Sequence, residues 1–255
     1  SYYPRGNLMS GHSKWASIKH KKAANDAKRG KLWSKLLKEV SIAARIGGSD
    51  PEMNPRLRTA VQAAKSSNVP NDTITRAIQK GTGEMDGVDY EEATYEGYGP
   101  AGVAIMIEIL TDNKNRAISE IRYILNRNGG SLGERGCVSW IFNKCGLVLV
   151  DQGSVDEDDL LMVALESGAE DVNTLEEVFE VISSVEEFEQ VRSAIETSGA
   201  KINVAEVAML PQTTVSLAEK EARQMIRLME ALEDNDDVQK VYANFDIPDE
   251  ILDAA

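Results

Sequence analysis

Few residues in this chain could do covalent chemistry. His12 and His20 are the only histidines among 255 residues, and both lie in "GHSKWASIKHKKAANDAKRGKLWSKLLKEV", Gly11 to Val40, among nine Lys or Arg. There is no HExxH, no Cys/His cluster and no G-x-S-x-G elbow. A Ser-His-Asp triad would have to take its base from this cationic stretch, where neighbouring positive charge disfavours the imidazolium a general base must form. "GYGPAG" (Gly97, Gly99, Gly102) satisfies G-x-G-x-x-G, but strand-like runs flank it on both sides and Pro100 lies inside. A dinucleotide fingerprint needs a helix after it, so this one reads as a hairpin turn. "DEDD" at Asp156 to Asp159 reads as the acid-favouring first turn of a helix and lacks EF-hand spacing. Cys137 and Cys145, eight apart without a CxxC, read as reduced thiols. The expectation is a protein that is not an enzyme, with no catalytic residue, metal site, cofactor or small-molecule substrate.

The chemistry the sequence does advertise is polyanion binding. Residues 1–80 hold 16 Lys/Arg and 5 Asp/Glu, whereas residues 81–255 hold 12 and 37; the whole chain is at −14. Such asymmetry suits one part to a polyanion and the rest to solvent. Between Gly11 and Val40 the only acids are Asp26 and Glu39, so the lysines have few local partners. Lys14, Lys21, Lys28 and Lys35 recur every seven residues, and Lys31 and Lys38 add a second row. Their mutual repulsion is destabilising unless an anion is bound. His12, Trp15 and His20 interleave with these lysines and offer surfaces on which bases can stack. The candidate nucleic-acid-binding residues are therefore His12, Lys14, Trp15, Lys19, His20, Lys21, Lys22, Lys28, Arg29, Lys31, Lys35 and Lys38. Residues 11–24 lack a strong apolar stripe, which predicts a flexible arm that orders on contact.

The elements behind these residues follow from periodicity. From Lys28 to Ile46, Leu32, Trp33, Leu36, Leu37, Val40, Ala43 and Ala44 fall on one helical arc. "NPRLRTAVQAAKSSN" predicts a second helix, and "PNDTITRAIQKG" a third, capped by Asn71 or Asp72 and stopped by Gly81. "EATYEGY" and "GVAIMIEIL" predict a hairpin, "NRAISEIRYILNRNGG" an amphipathic helix, and "CVSWIF" and "GLVLV" two strands split by a turn at "NKCG". A βαββαβ order follows, with strand 147–151, helix 156–167, strands 171–173 and 178–182, helix 185–198 and strand 201–210. Ser184/Glu187 and Ser216/Glu219 are capping-box spacings. "VQKVYANFDI" places Val241, Ala243, Phe245 and Ile247 on one strand face. The expected fold class is α+β with three domains: an N-terminal three-helix bundle, then two α/β (ferredoxin-like) domains, one inserted in the other. Their expected bounds are 9–81, 82–132 plus 211–255, and 133–210. "SYYPRGNL" before Met9 reads as a leader outside the fold. The longest apolar run, "VAIMIEIL", is too short to span a bilayer, and no signal peptide is visible, so a cytoplasmic protein without membrane contact is expected.

"GHSKWASIKHKKAANDAKRGKLWSKL" also resembles the N-terminal signature of the YebC family, to which the mitochondrial translational activator of cytochrome oxidase subunit one belongs. "YEGYGPAGVAIMIE", "DNKNRAISEIR" and "GGSLGERGCVSWIF" are similar to further family stretches, so the likeness runs from Met9 to about Ile247. Ser17, Ala101 and Cys137 depart from the family's usual Asn, Gly and Ser without removing a basic residue. The resemblance implies a helical domain and two α/β domains, the last inserted in the middle one, and no catalytic residues. It implies either a DNA-binding transcriptional regulator or a translation factor that acts on the ribosome and relieves stalling at proline-rich stretches. The expected partners are ribosomal or transfer RNA, alternatively DNA, with basic ribosomal proteins facing the acidic domains.

Overall fold

The computed structural model describes residues 11–22, 26–247 and Ile251, without the side chains of residues 21–28. The leader before Met9 lies outside the described residues. The first helix, α1 (Gly11–Lys22), precedes three helices of a bundle: α2 (Asp26–Gly47), α3 (Pro55–Ser66) and α4 (Asn71–Thr82). The bundle core contains Val40, Ala43 and Ala44 of α2, Leu57, Ala60 and Ala64 of α3, and Ile74 and Ala77 of α4. Asn54 caps α3, its side chain accepting from the Leu57 amide, with Pro55 at the first position. The caps of α4 differ from expectation. Pro70 stands at its N-cap, Asn71 and Asp72 lie in its first turn, and Gly83 at φ 80° ends it. Gly81 is inside the helix because a Cβ there would lie 2.2 Å from the Ser41 carbonyl oxygen: it permits α2 and α4 to touch.

Two four-stranded antiparallel sheets follow. The first orders β3 (Ser131–Leu132), β1 (Glu91–Tyr98), β2 (Ala104–Thr111) and β9 (Val238–Ala243), with helices α5 (Lys114–Arg127) and α8 (Glu219–Asp234). The second is built wholly within residues 142–211. It orders β5 (Ala169–Thr174), β6 (Val178–Ser183), β4 (Phe142–Asp151) and β7 (Ile202–Pro211), with α6 (Glu157–Glu166) and α7 (Phe188–Thr197). All its pairings are antiparallel, the arrangement of a split βαβ unit. The first sheet departs from the ferredoxin-like expectation. Its two central strands are a direct hairpin, β1–β2, joined by a 3-10 turn at Pro100–Gly102. A two-residue pair, β8 (Val215–Ser216) with β10 (Phe245–Asp246), runs parallel.

Strand alternation sorts the cores. Ile105, Ile107 and Ile109 face α5 and α8, while Ala104 and Met106 face the other way. Leu147 and Leu149 of β4 meet Ala104, Met106 and Tyr242 between the sheets, and Val148 and Val150 meet α6 and α7. "CVSWIF" is not a strand, since Ser139–Ile141 is a 3-10 turn and β4 begins at Phe142. Two further sequence expectations fail here for identifiable reasons. "NKCG" is not a turn: β4 runs through it, with Asn143, Lys144 and Cys145 opposite Leu210, Met209 and Ala208. Gly146 serves close packing, since a Cβ would meet Ser183 Oγ at 2.4 Å and Phe188 at 2.7 Å. Ser216 does not cap α8 because it is spent in β8; Ala218 takes the N-cap position without a side-chain bond.

Candidate nucleic-acid interface

The basic N-terminal stretch is not an isolated arm. Residues 11–22 are helical, and α1 lies over β7 and β9, the edge strands of the two sheets. A helix over an edge satisfies the edge-protection requirement of both sheets at once. The apolar-stripe criterion misses this helix because its buried side chains are mostly polar and meet polar partners. His12 Nε2 is 2.8 Å from Glu206 Oε1, and its ring lies 5.0 Å from that of Tyr242. Ser13 donates to the buried Glu180 carboxylate. Trp15 is 4 % exposed, sits in the core of the first sheet and donates its Nε1–H to Glu233 at 2.9 Å. Trp15 and His12 are therefore packed inside the protein and present no ring on which a base could stack. Gly11 is required by close approach, since a Cβ would lie 2.0 Å from the Phe245 carbonyl oxygen.

Beneath α1 is a small charged network. Glu206 also lies 3.2 Å from Lys240 Nζ, which donates to the Val207 carbonyl at 3.0 Å. Burial alone would raise the Glu206 carboxyl, but the Lys240 ammonium and His12 outweigh it and hold it far below the ordinary carboxylate range. Burial likewise opposes charge on Lys240, yet Glu206 carries it well above its ordinary value. Glu108, nearby, is raised by burial, with Lys240 working against that rise.

The lysine rows on α2 also find partners that local sequence hides. Lys31 Nζ donates to the Asp234 carboxylate at 2.6 Å and to its carbonyl at 3.2 Å. Lys35 donates to the Glu233 carbonyl, and Lys38 to the Asp236 carbonyl at 2.8 Å. These three amines cap the C-terminal end of α8, where free carbonyls and the negative end of the helix dipole gather. Burial, reinforced by Lys19 and only partly offset by Glu233, lowers Lys35 to about 8. Lys14 lies 3.7 Å from Asp246 and Lys19 3.0 Å from Glu233. His20 is lowered by burial and by Lys201, with Asp151 opposing. Arg29 is exposed, and the side chains of Lys21, Lys22 and Lys28 lie outside the described residues. Lys19 and Lys31 remain about half exposed, at 51 % and 47 %, against 12 % for Lys14 and 13 % for Lys38.

A second basic set emerges that sequence reading passed over. Lys65 on α3, and Arg76 and Lys80 on α4, are exposed, and among the described residues none has an ion-pair partner; Arg58 on α3 is half-buried and likewise unpaired. Arg58 and Lys65 are seven apart and Arg76 and Lys80 four apart, so each pair shares a helix face. That spacing was the available signal. Of the other motifs, "GYGPAG" is a hairpin turn with Ala101 at φ 56°. Asp156 caps α6 through the Asp158 amide at 3.0 Å. No group of three His, Cys, Asp or Glu among the described residues is placed to hold a metal ion. Both cysteines are free, and burial pushes the Cys145 thiol up to about 12.

Two family models match the chain: "TACO1/YebC protein N-terminal domain" over residues 13–84 and "TACO1/YebC second and third domain" over residues 90–245. A probable transcriptional regulatory protein of Desulforapulum autotrophicum is 57 % identical over 246 residues, covering 96 % of this chain and 100 % of that one. One of Syntrophobacter fumaroxidans is 58 % identical, covering 96 % and 99 %. The crystal structure of a conserved hypothetical protein from Aquifex aeolicus aligns with a TM-score of 0.86 at 49 % identity, covering 94 % of this chain and 99 % of that one.

Proposed function

The chain belongs to the TACO1/YebC family, and from that premise we propose that it is a non-enzymatic, nucleic-acid-binding regulator of gene expression working in the cytoplasm. Its finer role in this reading is that of a ribosome-associated translation factor, relieving stalling on difficult stretches such as runs of proline. The observation that carries the reading is charge segregation. The helical unit 9–81 presents Lys65, Arg76 and Lys80 without an ion-pair partner among the described residues, alongside the half-exposed Lys19 and Lys31, on a chain whose remainder is strongly acidic. That unit grips phosphates. The units 82–132 plus 211–255 and 133–210 project away from RNA or meet basic ribosomal proteins. Of the twelve N-terminal candidates, Lys19, Arg29 and Lys31 belong to the phosphate-gripping surface; Lys21, Lys22 and Lys28, whose side chains lie outside the described residues, are assigned to phosphate binding from sequence alone. Lys14, Lys35, Lys38 and His20 line its inner margin, and His12 and Trp15 hold it in place.

Lysine outnumbers arginine in the basic stretch, whereas reading base edges in duplex DNA favours Arg, Asn or Gln, and this supports RNA over a DNA sequence code. The second reading, a DNA-binding transcriptional regulator, is favoured by the printed names of the relatives.

Fluorescence anisotropy against a structured RNA hairpin and a DNA duplex of matched sequence, from 50 to 300 mM salt, tests both. The wild type is expected to bind RNA more tightly, with a negative log–log salt slope. Lys65→Glu, Arg76→Glu and Lys80→Glu together should weaken binding about 100-fold near 0.1 M salt and flatten the slope by about 2–3. Tighter, sequence-dependent binding to the duplex would install the second reading. No binding to either ligand would end both.

A further inference from the structure

We infer that the loop Gly133–Ile141 is a stacking site for an unpaired nucleobase, an inference that rests on the nucleic-acid reading above. Trp140 is 73 % exposed, the most exposed tryptophan of the described residues, yet it is not loose. Its Nε1–H donates to the Cys137 carbonyl at 3.1 Å, and the Tyr98 hydroxyl approaches the same oxygen at 3.4 Å. Two aromatic side chains are thus anchored by their polar ends to one backbone atom. Neither ring stacks on another aromatic among the described residues.

The loop beneath them is held from inside. Glu96 is 6 % exposed, and its carboxylate accepts the amides of Gly136, Val138 at 3.0 Å and Ser139 at 2.6 Å. Burial alone would raise this carboxyl, but those amides prevail and hold it below its ordinary value, so it stays an anion that its donors satisfy. Gly133 leaves no room for a side chain, since a Cβ would meet Cys137 Sγ at 2.6 Å, and Gly136 has φ 88°. A rigid loop loses little entropy when a ligand settles on it.

Charge identifies the ligand. Of the 12 Lys and Arg beyond residue 80, four (Arg122, Arg127, Arg135 and Lys144) fall within residues 122–145, against one acid, Glu134, out of 37. Arg135 is exposed in the loop itself and has no ion-pair partner among the described residues. An exposed indole and phenol, with an exposed arginine in the same loop, on the least acidic stretch of an acidic region, match a base with its phosphate, and such stacking calls for a base that is not paired.

The test compares a single-stranded RNA 12-mer with the duplex of the same sequence, by anisotropy with the full chain. Trp140→Ala should weaken single-strand binding about tenfold, leave duplex binding and the salt slope unchanged, and leave the melting temperature at the wild-type value. Trp140→Phe should retain most of the affinity, because a ring remains. Arg135→Gln should reduce the single-strand slope by about 0.7. Wild-type single-strand affinity in Trp140→Ala overturns the stacking site while leaving the proposed function standing. So does a Trp140→Ala protein that binds RNA normally but no longer sediments with ribosomes, which would assign the loop to a protein partner. Absence of all RNA binding by the wild type removes the function first and the stacking site with it.

Discussion

Replacing Trp15 with alanine is expected to destabilise the protein by about 3–5 kcal/mol, the usual cost of truncating a buried aromatic to a methyl group. Trp15 is 4 % exposed among Ile18, Phe245 and the apolar face of α8, and its indole N–H is taken by Glu233. The substitution opens a cavity, frees a carboxylate beside Lys19 and Lys35, and undoes the contact that lays α1 over β7 and β9. Trp15→Phe should cost less, since most of the apolar volume remains and the hydrogen bond alone is lost. Urea denaturation of both variants distinguishes this role from a base-stacking one. A stacking residue would lower RNA affinity and leave the denaturation midpoint unmoved. A midpoint for Trp15→Ala equal to the wild type would refute the core placement.

The second large effect concerns the charges beneath α1. Glu206→Ala removes the carboxylate that both His12 and Lys240 contact and leaves an ammonium without its counter-ion. Breaking a fully buried pair this way costs about 3–5 kcal/mol. Glu206 is 21 % and Lys240 36 % exposed, so water shares the charge and about 3 kcal/mol, the lower end, is expected. The double change Glu206→Leu with Lys240→Met should recover much of the loss, because no charge is then stranded. The sign of the pH dependence follows from the lowered Glu206 carboxyl. Its contribution is fully present above the unfolded value of about 4.3 and disappears as pH falls through the folded value. The stability gap between wild type and Glu206→Ala should therefore be full at pH 7 and shrink progressively below about pH 4. Lys240 is raised, so its contribution is complete below the unfolded value of about 10.4 and is lost progressively as pH rises from there through the folded value. A gap that is constant between pH 7 and pH 3 would contradict the pairing.

Much of the fold is legible in the sequence because apolar spacing reports it. The α2 face of Val40, Ala43 and Ala44, the α8 face of Ala222, Met225, Ile226, Met229 and Leu232, and the split βαβ order each follow from period 3.6 or period 2. What is illegible is whatever depends on distant partners. The lysines of α2 look unpaired because their acids and carbonyls lie about 200 residues on, at 233–237. Residues 11–22 look unfit to fold because His12, Ser13 and Trp15 are buried against Glu206, Glu180 and Glu233, which no local pattern announces. Glycines mislead in the same way: Gly81 and Gly146 mark close approach inside elements, not their ends. The basic character of the helical unit is plain in its composition, and helical spacing groups Arg76 with Lys80, but that these and Lys65 have no ion-pair partner among the described residues while Lys31 and Lys38 do depends on the acids at 234–237, which spacing does not report.

The central claim is that this helical unit holds the protein on RNA in the ribosome. Sedimentation of a cell lysate through sucrose gradients at low and high salt, with detection of the protein in each fraction, tests it most directly. The account predicts co-migration with ribosomes at low salt, release at high salt, and loss at both for the protein carrying Lys65→Glu, Arg76→Glu and Lys80→Glu. Absence of the wild type from ribosomal fractions at low salt, together with footprints on defined promoter DNA, would contradict it.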